Sequence, residues 1–433
     1  MEAVGGLAVF IAALMALLAT GLPVSFATGL LAIAGTAMFL STGAISQLAT
    51  IAFSQSSHFV LTVVPLFILM GEALAATGIG RDLFHAAQLW LRRLPGALAV
   101  GTVLACTGFA AVCGSSAVTA ATIGAMAIPE MIRRGYDRRL AAGAAAAGGT
   151  LGILIPPSVP MIVYGVLTET SIGDLFIAGI VPGLILSAML SITIMLMVLR
   201  RPQIAPASLE PSSLAERVRA LKVVGPVIVL AFLVLGSIYF GVATPTEAGA
   251  IGAAGAMLIA ALGGALRWKV FTAILTKTVK TTAMFMLLLI SGFFAAFMLA
   301  RLGIPQGIPD LLLGLNVAPW VLIVLINLLL VVMGMFMDAL SVVVIMVPIF
   351  FPTVLKLGYD PVWFGIIITI NVEIAAISPP VGFNLFVLQS LVPGVTYTDV
   401  VRGSAIFMVP LGLGILLLTF FPDVATFLPR LSH

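Results

Sequence analysis

Apolar runs long enough to cross a hydrocarbon layer as helices recur along the chain: Val4 to Thr20, Leu22 to Leu40, Leu175 to Leu199, Val223 to Phe240 and Val400 to Phe421. Polar residues fall in short connections between such runs and in one long stretch, RRPQIAPASLEPSSLAERVRALK, at Arg200 to Lys222. A soluble core needs no such succession of spans, so the pattern predicts an all-α integral membrane protein. Two segments differ. Gly80 to Arg93 and Lys269 to Lys280 mix apolar and basic residues at helical spacing and read as interfacial helices, either bracing arms or ordinary amphipathic loops. The first apolar run lacks a basic n-region and an A-x-A-like cleavage site, so it is expected to stay as a span.

The pattern is written twice. GYD at Gly135 to Asp137 returns at Gly358 to Asp360, and Pro156-Pro157 returns at Pro379-Pro380; 358 − 135 and 379 − 156 are both 223. The same shift carries Pro129 onto Pro352. Pro23 pairs with Pro245 at an offset of 222, and S-x-x-D at Ser171 to Asp174 is answered by T-x-x-D at Thr396 to Asp399, each a helix start. The first repeat therefore covers 1–200, a cytoplasmic linker 201–222, and the second repeat 223–433.

Basic residues set the orientation. Arg92, Arg93, Arg133, Arg134, Arg138, Arg139, Arg200, Arg201, Arg217, Arg219, Lys222, Arg267 and Lys269 are expected on the cytoplasmic side, with the acidic turns at Glu169, Asp174 and Glu247 outside. The segment at about 95–132 then begins and ends on one side. It is either two spans or one re-entrant hairpin, and the polar Gly114 to Ser116 near its centre favours a tip buried at membrane depth. The equivalent hairpin, about 317–355, is followed by Lys356 alone where the first is flanked by six arginines, so its ends belong outside and the repeats are inverted. The expected fold has about ten transmembrane helices, two re-entrant hairpins, broken helices at about 140–166 and 362–388, and both termini outside.

Composition agrees: 61% of residues are hydrophobic and 8% charged, and the net charge of +4 sits in short loops rather than on a face that could follow phosphates, which excludes nucleic acid as a partner. Cys106 and Cys113 lie in apolar sequence without metal-ligand spacing and read as small packing residues. No cofactor motif is visible.

Candidate chemistry lies at matching interruptions of the apolar runs, Cys113 to Thr119 and Gly148 to Ser158 in the first half, Met337 to Ser341 and Asn371 to Gly382 in the second. Unwinding a membrane helix releases carbonyl oxygens that lipid cannot satisfy and a small hard cation can, while half-helix N-termini can face an anion. One cation site would use Ser115, Ser116, Thr150 and the backbone of Gly148 and Gly149; a second would use Asp338, Ser341, Asn371 and Ser378. Asp338 aligns with Ser115 at the offset of 223, and a carboxylate at that depth costs about 2.5–3.5 kcal/mol on insertion scales unless paired. Ser116, Ser158 and Asp338 are the candidate substrate contacts. Close helix packing by small residues is the competing reading of Gly114 to Ser116. Glu72 and Glu373 either cap backbone or face a water-filled seam.

The run GGTLGILIPPSVPMIVYGVLTETSIGDLFIAGIVPG at Gly148 to Gly183 resembles the signature of the large membrane subunit, DctM type, of tripartite ATP-independent periplasmic (TRAP) transporters. PLFILMGEAL (Pro65 to Leu74), TPTEAGA (Thr244 to Ala250) and ISPPVGFNLFV (Ile377 to Val387) are similar to it too, so the resemblance covers nearly the whole chain. It implies an elevator-type importer of small organic acid anions in the bacterial inner membrane, with sodium as coupling ion. It also implies a small four-helix membrane subunit and a periplasmic substrate-binding protein. No four-helix extension precedes Met1, so the small subunit is expected as a separate chain. The family often has T-P-P where Ser378-Pro379-Pro380 stands here, and the hydroxyl is kept. Two alternatives stay open. One is a stand-alone di- or tricarboxylate sodium symporter of related architecture. The other is an intramembrane enzyme using Glu72, Asp338 or Glu373 as acids, for which His58, His85 and His433 are too scattered to supply a catalytic pair.

Overall fold

Lipid offers no hydrogen-bond partner to an open backbone, so apolar chain at membrane depth must close its amides on itself. The computed structural model describes residues 2–206, 212–314, 317–392 and 394–432, and among these every regular element is a helix. Seven helices are long and apolar enough to cross a bilayer: Phe59–Ala76, Ile172–Arg200, Leu214–Tyr239, Pro245–Leu262, Trp268–Arg301, Ala339–Lys356 and Tyr397–Phe420. Other apolar helices, such as Ala97–Cys113, Val159–Thr168, Pro319–Gly334 and Pro361–Ala376, run 10–17 residues. They stop short where the chain turns back or breaks.

Four such stops build the centre. Ala97–Cys113 and Ser116–Arg133 form a hairpin, as do Pro319–Gly334 and Ala339–Lys356; adding 223 to 116 and 133 gives 339 and 356. Each hairpin is followed by an interrupted helix. Arg138–Thr150 passes through the turn Leu151–Ile153 and the cis pair Pro156-Pro157 into Val159–Thr168, and Pro361–Ala376 passes through the cis pair Pro379-Pro380 into Phe383–Leu391. Asp137 and Asp360 start these helices alike, each accepting two backbone N–H bonds. Of the strongest hydrophobic stretch of Ala339–Lys356, 61% is buried by protein, against 28% for Leu214–Tyr239. The hairpins are therefore core and Leu214–Tyr239 is periphery.

The halves differ in one long helix. Trp268–Arg301 is a single helix of 34 residues, about 51 Å long and some 20 Å more than a hydrocarbon core. Lys269 to Lys280, expected to lie in the interface, is its first third. At the offset of 223 this helix corresponds to two in the first half, Gln47–Ser56 and Val63–Ala76, separated at Ser57 and His58 by an irregular link. The connection expected over 201–222 becomes helical at Leu214, where Ser213 and Glu216 form a capping box; its residues 207–211 lie outside those described, as does His433.

Glycines fix the closest crossings. A Cβ on Gly403 would lie 2.0 Å from the Arg139 carbonyl oxygen, and one on Gly143 would lie 2.2 Å from the Gly403 oxygen, so Arg138–Thr150 and Tyr397–Ser404 touch backbone to backbone. Gly148 and Gly149 seat the same broken helix between the arms of the first hairpin, against Val103 and Cys106 on one side and Ala120 on the other. Gly403→Val should lower the thermal midpoint in detergent, overpacking costing about 1–3 kcal/mol or more. Gly412→Val, at a position with nothing within 4 Å of a Cβ, should leave it unchanged. Equal midpoints for the two variants would contradict the crossing.

Candidate functional site

Each hairpin turns through an extended residue that caps its second arm. Ser115 accepts the Val118 N–H on its Oγ at 3.5 Å, and Asp338 accepts the Leu340 N–H on Oδ2 at 3.2 Å while Ser341 donates its hydroxyl to Oδ1. Gly114 reaches this turn at φ +68°, where a Cβ would stand 2.8 Å from the Pro157 carbonyl. Each tip is tied to the break of its own half by one backbone bond: Val159 N–H donates to Gly114 O at 3.4 Å, and Gly382 N–H to Met335 O at 3.2 Å. The donors are equivalent at the offset of 223.

The two tips meet. Ser115, Ser116 and Ala117 from one and Asp338, Ala339 and Leu340 from the other line a cavity of about 120 Å³, closed by Ile153, Val159 and Pro160 of the first break and Phe383 of the second. That volume corresponds to about four waters. Ile68, Thr281 and Phe285 complete the wall. The lining carries one ionisable group, Asp338, and no basic side chain. The second arms of both hairpins begin here, so two helix N-termini lend partial positive charge. One turn from Thr281 and one turn from Ile68, Lys277 and Glu72 form an ion pair at 3.4 Å, with 14% of the Glu72 side chain exposed against 68% of Lys277.

Behind the first tip, oxygens converge. The Ser115 carbonyl and the Thr119 hydroxyl both lie 2.6 Å from where a Cβ on Gly152 would stand, and Thr119 Oγ1 is buried without a partner among the described residues. Hard oxygen donors of this kind suit an alkali cation. Among the described residues no group of three His, Cys, Asp or Glu gathers as a transition-metal site would need.

Of the residues expected to bind, Ser115, Ser116 and Asp338 share the cavity, and Ser341 stands behind Asp338. Ser158 caps the helix after the first break, accepting Met161 N–H at 3.4 Å, while its successors Val159 and Pro160 line the cavity. Thr150 and Ser378 instead turn their hydroxyls onto their own helices, to Ala147 O at 2.8 Å and Ile374 O at 2.6 Å. The carbonyls of Gly148 and Gly149 accept the Leu151 N–H. Asn371 donates to Asn327 Oδ1 and to Ile367 O, both at 2.9 Å, which ties the second broken helix to its hairpin. Glu373 is fully buried with neither oxygen paired among the described residues, at the position equivalent to Thr150.

Thr119, Gly152, Thr281 and Asn327 were not singled out from the sequence. Thr119 and Gly152 lie inside the interrupted runs already noted, and only their approach in space distinguishes them.

The sequence profile of the tripartite ATP-independent periplasmic transporter, DctM component, matches residues 11–424. The chain is similar to the C4-dicarboxylate TRAP transporter large permease protein DctM of Pseudomonas aeruginosa, 37% identical over 376 residues, with 87% of each chain covered. It is 33% identical over 389 residues to the protein of that name in Rhodobacter capsulatus, covering 86% of this chain and 87% of that one. Among solved structures, the YdaH transporter of Alcanivorax borkumensis superposes with a TM-score of 0.65 at 17% identity over 89% of this chain and 90% of that chain, a likeness of fold.

A shared cavity has a direct check. With Cys106 and Cys113 replaced, cysteines at Ser116 and Leu340 should be joined by a short bifunctional thiol reagent, whereas Ser116 paired with exposed Phe232 on the periphery should not be. Absence of the first cross-link, with both thiols reactive singly, would separate the tips.

Proposed function

Because the chain belongs to the DctM family, the large permease component of TRAP transporters, we propose that it imports a small organic acid anion, of the C4-dicarboxylate class, in symport with sodium. It is a multi-pass membrane permease and not an enzyme. In this reading it lies in the bacterial inner membrane beside a small membrane subunit and receives substrate from a periplasmic binding protein.

The observation that carries the coupling is the lone carboxyl group of the cavity wall, Asp338. Ionised, it makes the cavity negative, with no basic side chain in the lining to balance it. At an effective dielectric of 20, a substrate carboxylate about 5 Å from Asp338 meets a repulsion of about 3 kcal/mol. A cation held by the tip and break oxygens cancels that repulsion, and the two helix N-termini then favour the anion. Cation occupancy thus becomes the condition for anion binding, which is the essence of symport. Ser115 and Thr119 supply oxygens for the ion, Asp338 the charge, and Ser116 a polar contact near the substrate.

Movement follows from packing. The first broken helix is wedged into its hairpin at Gly148 and Gly149, so those elements travel together, and the second pair is joined through Asn371 and Asn327. We read the hairpins and broken helices as the carried body of an elevator and the outer helices as its frame, with the two halves inverted. The offset of 223 between matching helix ends supports that reading.

In proteoliposomes with the partner subunits, Asp338→Asn should lose most sodium-dependent C4-dicarboxylate uptake while keeping its thermal midpoint within a few degrees. Unchanged uptake with unchanged sodium dependence removes Asp338 from the site, and a collapsed midpoint makes it structural. Inversion is checked separately. Single cysteines at Arg138 and Asp360, in a cysteine-free background, should react with an impermeant maleimide from opposite faces; reaction from one face ends the inverted arrangement.

A further inference from the structure

A second, larger cavity of about 520 Å³ lies away from the transport site, where the start of the first broken helix, the end of Ile172–Arg200 and the helix Tyr397–Ser404 meet. Four guanidinium groups line it, those of Arg139, Arg200, Arg201 and Arg402, against one carboxylate, Asp137. That carboxylate is engaged as a helix cap, accepting the N–H groups of Arg139 and Leu140 at 2.8 and 3.2 Å. Arg139 has a distant partner in Asp399, 3.9 Å away, which is itself held in the capping box of Thr396. The guanidinium groups of Arg200, Arg201 and Arg402 have no ion pair or side-chain hydrogen bond among the described residues.

The convergence is built by the backbone. The contact of Gly403 with the Arg139 carbonyl sets Arg402 beside Arg139, and the long helix ends its apolar run by delivering Arg200 and Arg201 to the same hollow. Like charges gathered this way repel one another unless an anion sits among them. Planar guanidinium forks are suited to phosphate oxygens.

The wall says which kind of phosphate. Four residues before Arg200 on its helix stands Leu196, 49% exposed, and four residues after Arg402 stands Ile406, 42% exposed; both line the cavity. Each is about one helical turn, roughly 5.4 Å, from its arginine. Two elements thus present a basic level and, one turn along, an apolar level, the sequence of polarity met along a phospholipid from headgroup to acyl chain. A free phosphate would use the first level and leave the second idle.

We propose that this cavity binds the phosphate headgroup of an anionic phospholipid, with the upper acyl chains against Leu196 and Ile406. The bound lipid bridges Arg139 and Arg402 to Arg200 and Arg201, joining the first broken helix to the end of the long helix. The assignment stands whatever substrate the chain carries.

The full chain, purified in mild detergent, is titrated with phosphatidylglycerol, with phosphatidylcholine and with inorganic phosphate, and the thermal midpoint and the lipid retained in native mass spectrometry are read. Phosphatidylglycerol should raise the midpoint and remain bound, and the other two should do neither. Arg200→Gln with Arg402→Gln should weaken the apparent affinity for phosphatidylglycerol by about tenfold or more, the loss of charge-assisted hydrogen bonds, without lowering the midpoint in phosphatidylcholine. Should that pair fail to fold, Arg201→Gln alone gives the same test with a smaller loss. An equal response to phosphatidylcholine overturns the headgroup assignment, an equal response to inorganic phosphate makes the ligand a free anion, and a variant that answers phosphatidylglycerol like the parent removes the site from this cavity.

Discussion

A helix broken inside a membrane exposes amides that lipid cannot satisfy, and this constraint organises the molecule. Each of the two breaks finds a partner in the tip of the hairpin before it, Val159 with Gly114 and Gly382 with Met335. A hairpin tip likewise has backbone to satisfy, and does so partly by capping, with Ser115 in one half and Asp338 in the other. Hairpin and broken helix are therefore mutual requirements: neither is stable at depth without the other. Their meeting point is necessarily polar, and that is where a site can exist.

The polarity is rationed closely. One carboxylate, a few hydroxyls and two helix N-termini supply the polarity of the cavity, and Lys277, one turn from Thr281 on a wall-forming helix, is paired with Glu72. An ionised Asp338 leaves such a site negative when empty, so a cation is favoured first. In the proposed symport, selectivity for ion and for substrate are therefore two aspects of one arrangement of charge.

Much of this was legible from Gly, Pro and repetition. The tip at Gly114 and Ser115, the break at Pro156-Pro157 and their counterparts at Asp338 and Pro379-Pro380 stand out because such residues interrupt otherwise unbroken apolar sequence. What pattern could not tell was the direction of a hydroxyl. Thr150 and Ser378 sit at the right breaks yet bond to carbonyls three and four residues back, an option open to any Ser or Thr on a helix. Thr119 was passed over because its value comes from Gly152, thirty-odd residues on, whose missing side chain allows the approach. The continuity of Trp268–Arg301 was also hidden: basic residues near its start suggested an interfacial piece, but no proline or irregular link separates them from the apolar run that follows.

That long helix has a mechanical consequence. An unbroken helix of 34 residues bends only gently, so a force applied at one end arrives at the other nearly undiminished. Its counterpart in the first half is jointed between Ser56 and Val63, where two irregular residues and the short tight turn Phe59–Thr62 interrupt the α-helix. The two sides of the frame thus differ in compliance, one acting as a strut and the other as a knee. In the proposed elevator, motion of the hairpins against that frame would be taken up unequally, with deformation concentrated at the knee.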